Sequence, residues 1–531
     1  MKFGTLVNTF RVRGRSGGND LGTYTFAALT QLLRAEPRQF DIRAPGPPLQ
    51  QDFALSTFGF YLQDDWRVAP TFTLNMGLRY EFMNTPTETS GRGGGVRDVI
   101  HDATSTPSEE LMQNPSFRNF GPRLSFAWDV FGNATTALRG GFGLLYDLGN
   151  WSRSLLTIYT EFPQFGGENT VLTNLTFPRT TFTPGADLNI GVFDYYMQQP
   201  HMLHYSLTAE RQLPGNMALT VSYAGSRGIN LMKNREGNPV VPIGLLDGRE
   251  FYPVIANARR INPAWGAMEL KTAGSDSWYN SLQFSVQKRL SRGLQFQSSY
   301  TWSRILDTTQ GQDGGESGGT RIVGLDPHHP SYDKGPADFN LPHFWSFNLL
   351  YQLPSTGLSG VGRVVLDGWR VGSILSVRNG LPFSVTLSGN RSRSLVESGN
   401  TPDRADLVTG RKPDDIILGG PNRYFDPLAF TIQPAGTMGN SSRNMLLGPA
   451  TANLDFSLTK EIPFPLLGEG GRWEFRAEVF NLLNRANFFI PVGVGRSGAR
   501  IFTADEVRPS LQAVPNPTPL ATAGEITRTI T

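Results

Sequence analysis

From Phe72 to Phe82 every even position is apolar or aromatic (Phe72, Leu74, Met76, Leu78, Tyr80, Phe82), while Thr73, Asn75, Gly77, Arg79 and Glu81 fill the odd ones. A period of two predicts a strand with one apolar and one polar face. The pattern returns in pairs. Phe58, Phe60, Leu62 and Trp66 precede that strand across a turn at 68–71, and Leu124, Phe126, Trp128 and Val130 lead through Gly132-Asn133 into Leu138, Gly140, Phe142, Leu144 and Tyr146. Leu203, Tyr205, Leu207 and Leu213 lead through Pro214-Gly215-Asn216 into Met217, Leu219, Val221 and Tyr223. Leu282, Phe284, Val286 and Leu290 lead through Ser291-Arg292-Gly293 into Leu294, Phe296, Tyr300 and Trp302. Two looser pairs follow, around Trp345 to Leu353 with Trp369 to Val377, and around Leu454 to Leu458 with Trp473 to Val479. With residues 2–12 the pattern predicts about thirteen strands.

Tight turns alternate with polar, Gly/Pro/Asn-rich loops at 14–56, 83–122, 149–202, 227–279, 305–343 and 379–452, and a last one after 481. Most are far longer than the usual connection in a compact domain. An amphipathic stretch at 26–34 predicts a short helix inside the first loop. Strands of about ten residues joined in this alternation predict an all-β fold, an antiparallel transmembrane β-barrel with short periplasmic turns and long extracellular loops. Asp64, Arg211 and Lys288 fall in the apolar register, but each lies near a short turn, where a long side chain can reach the interface. Trp66, Phe72, Trp128 and Phe131 crowd the same end as an aromatic girdle. An ordinary β-sandwich core is the competing reading of the same alternation.

Composition narrows the class. Of 531 residues 59 are Gly and 37 are Pro, and only 18% are charged. Lys+Arg (48) nearly balance Asp+Glu (45), for a net charge of +3. The basic residues are scattered rather than striped, so no nucleic-acid partner is expected. The absence of cysteine excludes disulfides and thiolate sites. No run of about eighteen apolar residues offers a transmembrane helix, as expected where only alternate residues meet lipid. The chain opens directly into alternation at Met1-Lys2-Phe3-Gly4, without the apolar core of an export signal, so it is expected to be a piece of a longer protein.

Particular words point further. Phe58-Gly59-Phe60-Tyr61-Leu62-Gln63-Asp64-Asp65-Trp66-Arg67-Val68 and Leu74-Asn75-Met76-Gly77-Leu78-Arg79-Tyr80-Glu81, together with Arg139-Gly140-Gly141-Phe142-Gly143, Tyr223-Ala224-Gly225-Ser226-Arg227-Gly228 and Arg476-Ala477-Glu478-Val479-Phe480-Asn481-Leu482-Leu483-Asn484, resemble the barrel of TonB-dependent outer-membrane transporters, particularly the Oar-like group. The resemblance implies a carboxypeptidase-regulatory-like sandwich, a lumen-filling plug and a barrel of about twenty-two strands. Residues 1–531 are then expected to supply about thirteen or fourteen of those strands, without sandwich, plug or closing aromatic-ended strand. Implied partners are outer-membrane lipid, the plug, the TonB complex and the barrel-assembly machinery.

The chemistry motifs are weak. Gly493-Val494-Gly495-Arg496-Ser497-Gly498 fits a dinucleotide fingerprint but follows Pro491 and precedes no helical pattern. His201 and His204 lie at odd spacing in a strand, hence on opposite faces, and His328-His329 sits between prolines in a loop. The acidic run 307–316 lacks the alternating ligands of a calcium loop. No cofactor, metal or catalytic residue is assigned. Loop aromatics Trp151, Tyr195, Tyr196, Trp265 and Trp278 are candidate ligand contacts, although long loops also need aromatic anchors for their own folding. Arg79, Glu81, Arg139 and Glu210 are expected to face the lumen and to meet a plug. The functional expectation is uptake of a carbohydrate, peptide or chelate across the outer membrane of a Gram-negative bacterium. Its rivals are a passive porin-like channel and a secreted β-rich binding protein.

Overall fold

The computed structural model describes residues 1–15, 23–26, 29–36, 39–43, 50–148, 167–171, 188–308, 324–387, 389–396, 402–464, 471–491, 499–502 and 517–529. Its frame is thirteen long strands: β1 (Lys2–Arg15), β2 (Gln50–Ala69), β3 (Phe72–Met83), β4 (Phe120–Asp129), β5 (Thr136–Tyr146), β6 (His201–Leu213), β7 (Met217–Glu236), β8 (Met268–Ser291), β9 (Leu294–Asp307), β10 (His343–Gln352), β11 (Trp369–Arg378), β12 (Thr451–Pro463) and β13 (Arg472–Val479). Each pairs antiparallel with the next in sequence, a simple meander.

The tight turns are built by the residues the sequence offers. Between β6 and β7, Gly215 and Asn216 take φ of 79° and 60°, and between β8 and β9, Arg292 and Gly293 take 50° and 78°. Such left-handed pairs match the twist of the flanking strands, which is why Gly and Asn stand there. The β10–β11 connection instead carries a short helix, Gly360–Leu366, which the alternation did not predict.

The register fixes two faces across the whole sheet. Leu78 lies between Leu62 and Pro122, and Leu74 between Trp66 and Phe126. On the opposite face Arg79 lies between Tyr61 and Gly121, and Asn75 between Asp65 and Ser125. The apolar face is open: Leu62, Leu78 and Leu207 are each nearly half exposed and Phe475 more so. So continuous an exposed apolar surface belongs against lipid, and it excludes a sandwich with a dry core.

Several strands outrun the alternation. Residues 227–236 continue β7 and residues 268–279 open β8, although both fall in the expected loop 227–279. Register shifts at Gly228, Leu231 and Lys233 break the period there. β2 likewise begins at Gln50 rather than near Phe58. In these upper segments one face meets folded loops instead of water, so apolar residues such as Phe53 and Leu55 occupy the otherwise polar register.

The long loops are not solvated tethers. Phe53, Leu55 and Met83 pack with Leu111, Met112, Phe193 and Met197. Val96, Ile190, Val192, Trp265, Met268 and Leu270 form a second core. The largest joins Phe383, Val385, Phe425, Phe430 and Leu446 from the loop after β11 with Ile501, Phe502, Ala523 and Ile526 from beyond β13. Together the loops make a cap at one end of the sheet.

Candidate functional site: the polar wall and its loop cap

The polar wall is laced by partners on adjacent strands. Asn75 donates to Ser125 at 3.3 Å, the Thr208 and Ser222 hydroxyls lie 2.8 Å apart, and those of Ser285 and Ser299 3.1 Å apart. Arg139 and Glu210 form an ion pair at 3.3 Å from β5 and β6, and Arg79 pairs with Glu81 two residues along β3. Further pairs join Lys2 to Asp65 at 3.1 Å and Arg370 to Glu461 at 2.6 Å. The register thus brings the four expected lumen residues together in pairs on one polar face. Their carboxylates and guanidiniums are matched inside the wall.

Charges on the apolar face behave as their positions near the turns require. Asp64 meets the amino terminus at 2.9 Å, and Lys288 donates to the Gly215 carbonyl at 2.6 Å and to Ser291 Oγ at 2.7 Å. The Arg211 guanidinium lies 5.6 Å from the Phe131 ring centroid. Lys288 and Arg211 thus end at turns and Asp64 at the amino terminus, rather than in hydrocarbon.

The expected ligand aromatics part company. Trp151 lies outside the described residues. Trp265 is 6% exposed and donates its indole N–H to the Asp102 carbonyl at 2.9 Å, so in this structure it pins two loops together. Tyr195 lies under the Arg97 guanidinium at 4.8 Å and edge-on to Tyr196, a residue 67% exposed. Trp278 is not a loop residue: it stands in β8 opposite Arg227 and Leu306, in register with the apolar face. The strand extension past the expected loop boundary is the reason.

Sequence reading missed a buried polar network in the cap. Asp403 accepts from the Ser392 amide (2.6 Å) and hydroxyl (2.8 Å), from Asn390 (3.2 Å) and from Gln433 (3.3 Å). Burial nevertheless pushes its carboxyl up to about 7. Arg404 lies 2.8 Å from Asp333 and 3.9 Å over the Tyr332 ring, while Arg443 pairs with Asp307 at the top of β9. These bonds tie the loop after β11 to the one after β9, and Tyr252 N–H donates to the Gly436 carbonyl at 2.7 Å from a third. No motif marks the network, because its members are far apart in sequence.

Glu88 is a second anchor. Burial alone would raise its carboxyl, but the Ser90 hydroxyl and the amides of Asp52, Arg92 and Ser90 outweigh it and hold Glu88 below the usual range. Among the described residues one group, Glu250, Asp326 and His329, brings three possible metal-ligand atoms within 4.8 Å of one another. Asp326 also accepts the amides of His328 and His329, so the group is held as a turn. His201 and His204 do take opposite faces of β6. Residues 493–498 lie outside the described residues, as does most of 307–316.

The family match agrees with this architecture. A family model described as an outer membrane beta barrel domain matches residues 1–514. Nothing matches among curated proteins. Among solved structures the chain is similar to the outer membrane transporter YddB of Escherichia coli (10% identity, TM-score 0.43, 84% of this chain and 53% of that one). It is also similar to the FrpB iron transporter of Neisseria meningitidis (11%, 0.40, 89% and 44%) and to the alcaligin outer membrane receptor FauA of Bordetella pertussis (11%, 0.33, 84% and 50%). The chain spans about half the length, or less, of these structures.

Proposed function

The chain belongs to the outer membrane beta barrel domain family, and from that premise we propose that it forms the wall and external cap of a TonB-dependent uptake receptor of the Oar-like kind. One observation carries the reading: the long loops fold on one another into packed cores, one of them seated on the polar register of β2 at Phe53 and Leu55, whereas a passive channel needs an open mouth. The long-loop end faces outward, the apolar face meets lipid and the polar face lines the lumen. A carbohydrate, peptide or chelate is captured at the cap and passed along the hydroxyl and ion-pair ladder. The plug, the TonB complex that works it and the barrel-assembly machinery are partners implied by the resemblance.

Liposome swelling with arabinose as probe tests the reading. Proteoliposomes holding the full chain should swell little, and deletion of 381–449, which removes two-thirds of the largest loop core, should make them swell readily. Equal swelling by both would favour the passive channel.

A further inference from the structure

A groove of about 250 Å³ lies on the membrane side of the sheet, lined by Trp278, Asn280, Arg304, Leu306 and Lys334. Its position follows from the register. Climbing β8 and β9 on the apolar face, the paired rows are Phe284 with Tyr300, Leu282 with Trp302, Asn280 with Arg304, and Trp278 with Leu306. Above two apolar, aromatic-rich rows the surface turns polar and cationic at Asn280 with Arg304, capped by Trp278 with Leu306. Aromatic and cationic side chains gather in this way where a membrane passes from hydrocarbon through interface to headgroup.

Cations gather around this apolar-floored groove. Arg227 is held by Asp276 at 3.1 Å and by the Gly228 and Ser277 carbonyls, and its guanidinium lies 4.1 Å from the Trp278 ring centroid. Lys334 reaches the same ring, its Nζ 4.2 Å from the centroid. Among the described residues neither Arg304 nor Lys334 forms an ion pair, so three cations converge where a single carboxylate, Asp276, answers them. Asn280 Oδ1 accepts the hydroxyls of Tyr205 (3.1 Å) and Tyr223 (2.6 Å), which leaves its amide nitrogen able to donate. Phosphate oxygens suit this donor set, and Trp278 with Leu306 offers the flat apolar footing that a sugar or acyl shoulder needs.

We propose that this groove binds the phosphorylated headgroup of an outer-leaflet glycolipid. The assignment rests on the outward placement of the long-loop end. Anionic headgroups attract surface Lys and Arg, and here the cations sit level with them rather than in the lumen. Trp278 and its neighbours therefore anchor the wall in the membrane instead of contacting the transported ligand.

The test uses the full chain in neutral detergent, mixed with a diphosphorylated lipid A, with its dephosphorylated analogue or with inorganic phosphate, and read by native mass spectrometry. The wild-type chain should retain the phosphorylated lipid, and the double variant R304Q/K334Q should retain it on the order of thirtyfold less, with unchanged strand circular dichroism. Equal retention by the variant, or equal retention of the dephosphorylated analogue, would overturn the proposal. Displacement of the lipid by millimolar inorganic phosphate would also overturn it, by making the groove a free-phosphate site. Orientation is read separately: K334C should react with a membrane-impermeant maleimide on intact cells, and its failure to react would reject the outward placement whatever the lipid result.

Discussion

Leu78 and Arg79 are chain neighbours with opposite surroundings, Leu78 between Leu62 and Pro122 on the apolar face and Arg79 beside Glu81 on the polar one. Leu78→Arg should lower stability in lipid by about 2 to 4 kcal/mol if it lies near the midplane, because a charge there has no water. Arg79→Leu should cost less, since the polar wall can hydrate what it loses. Urea unfolding in vesicles measures both, and equal losses would deny Leu78 a lipid environment. Asp403 allows a pH test. Its carboxyl is raised by burial to about 7, against about 4 in an unfolded chain. Between those values the folded state holds the proton more tightly, so cap stability falls as pH rises through the window. Near-ultraviolet thermal melts from pH 4.5 to 7.5 should show that slope in the wild type and a flatter profile in Asp403→Asn. Matching profiles would mean that Asp403 does not titrate there.

At the scale of the element, β3 makes the two-faced strand testable. Cysteines at Leu74 and Leu78 should take a lipid-soluble label and those at Asn75 and Arg79 a water-soluble one; indifferent labelling would sink the topology. The outermost strands behave differently from the rest. Among the described residues β1 pairs only with β2 and β13 only with β12, and every residue of β13 is exposed. Unpaired backbone groups in hydrocarbon cost several kcal/mol each, so both edges call for strand partners in a membrane. Hydrogen exchange in detergent should find alternate amides of β13 exchanging like loop amides, while β8, paired on both sides, stays protected. Uniform protection would mean that the edges have found partners.

For the molecule as a whole, the cap is one interlocked body rather than a set of separate loops. Gly436 shows the interlock: it has φ of 88°, and a Cβ there would come 2.8 Å from the Tyr252 carbonyl oxygen and 2.8 Å from the Phe251 ring. Gly436→Ala should loosen the cap by about 1 to 3 kcal/mol while leaving the strands intact. Limited proteolysis should then open sites across 381–449, with heat modifiability of the sheet unchanged. Cleavage identical to the wild type would show that the loops fold independently.

The sequence alone determined what depends on period and turn chemistry. Alternation sorts each residue to lipid or water locally, one strand at a time, so thirteen long strands, their order and the alternating short and long connections were legible before any contact was known. Gly215, Asn216 and Gly293 marked their turns for the same local reason. Tertiary structure decided the rest, because it depends on which distant residues meet. Arg139 found Glu210 seventy-one positions away through strand register, and Asp403 gained its donors only when the loop around it closed. Trp278 changed from a loop aromatic to a wall residue because β8 runs on above the alternating segment, where the cap covers the face that water would otherwise wet. In that upper region the solvent contrast that writes the two-residue pattern is gone, and packing alone sets each residue's place.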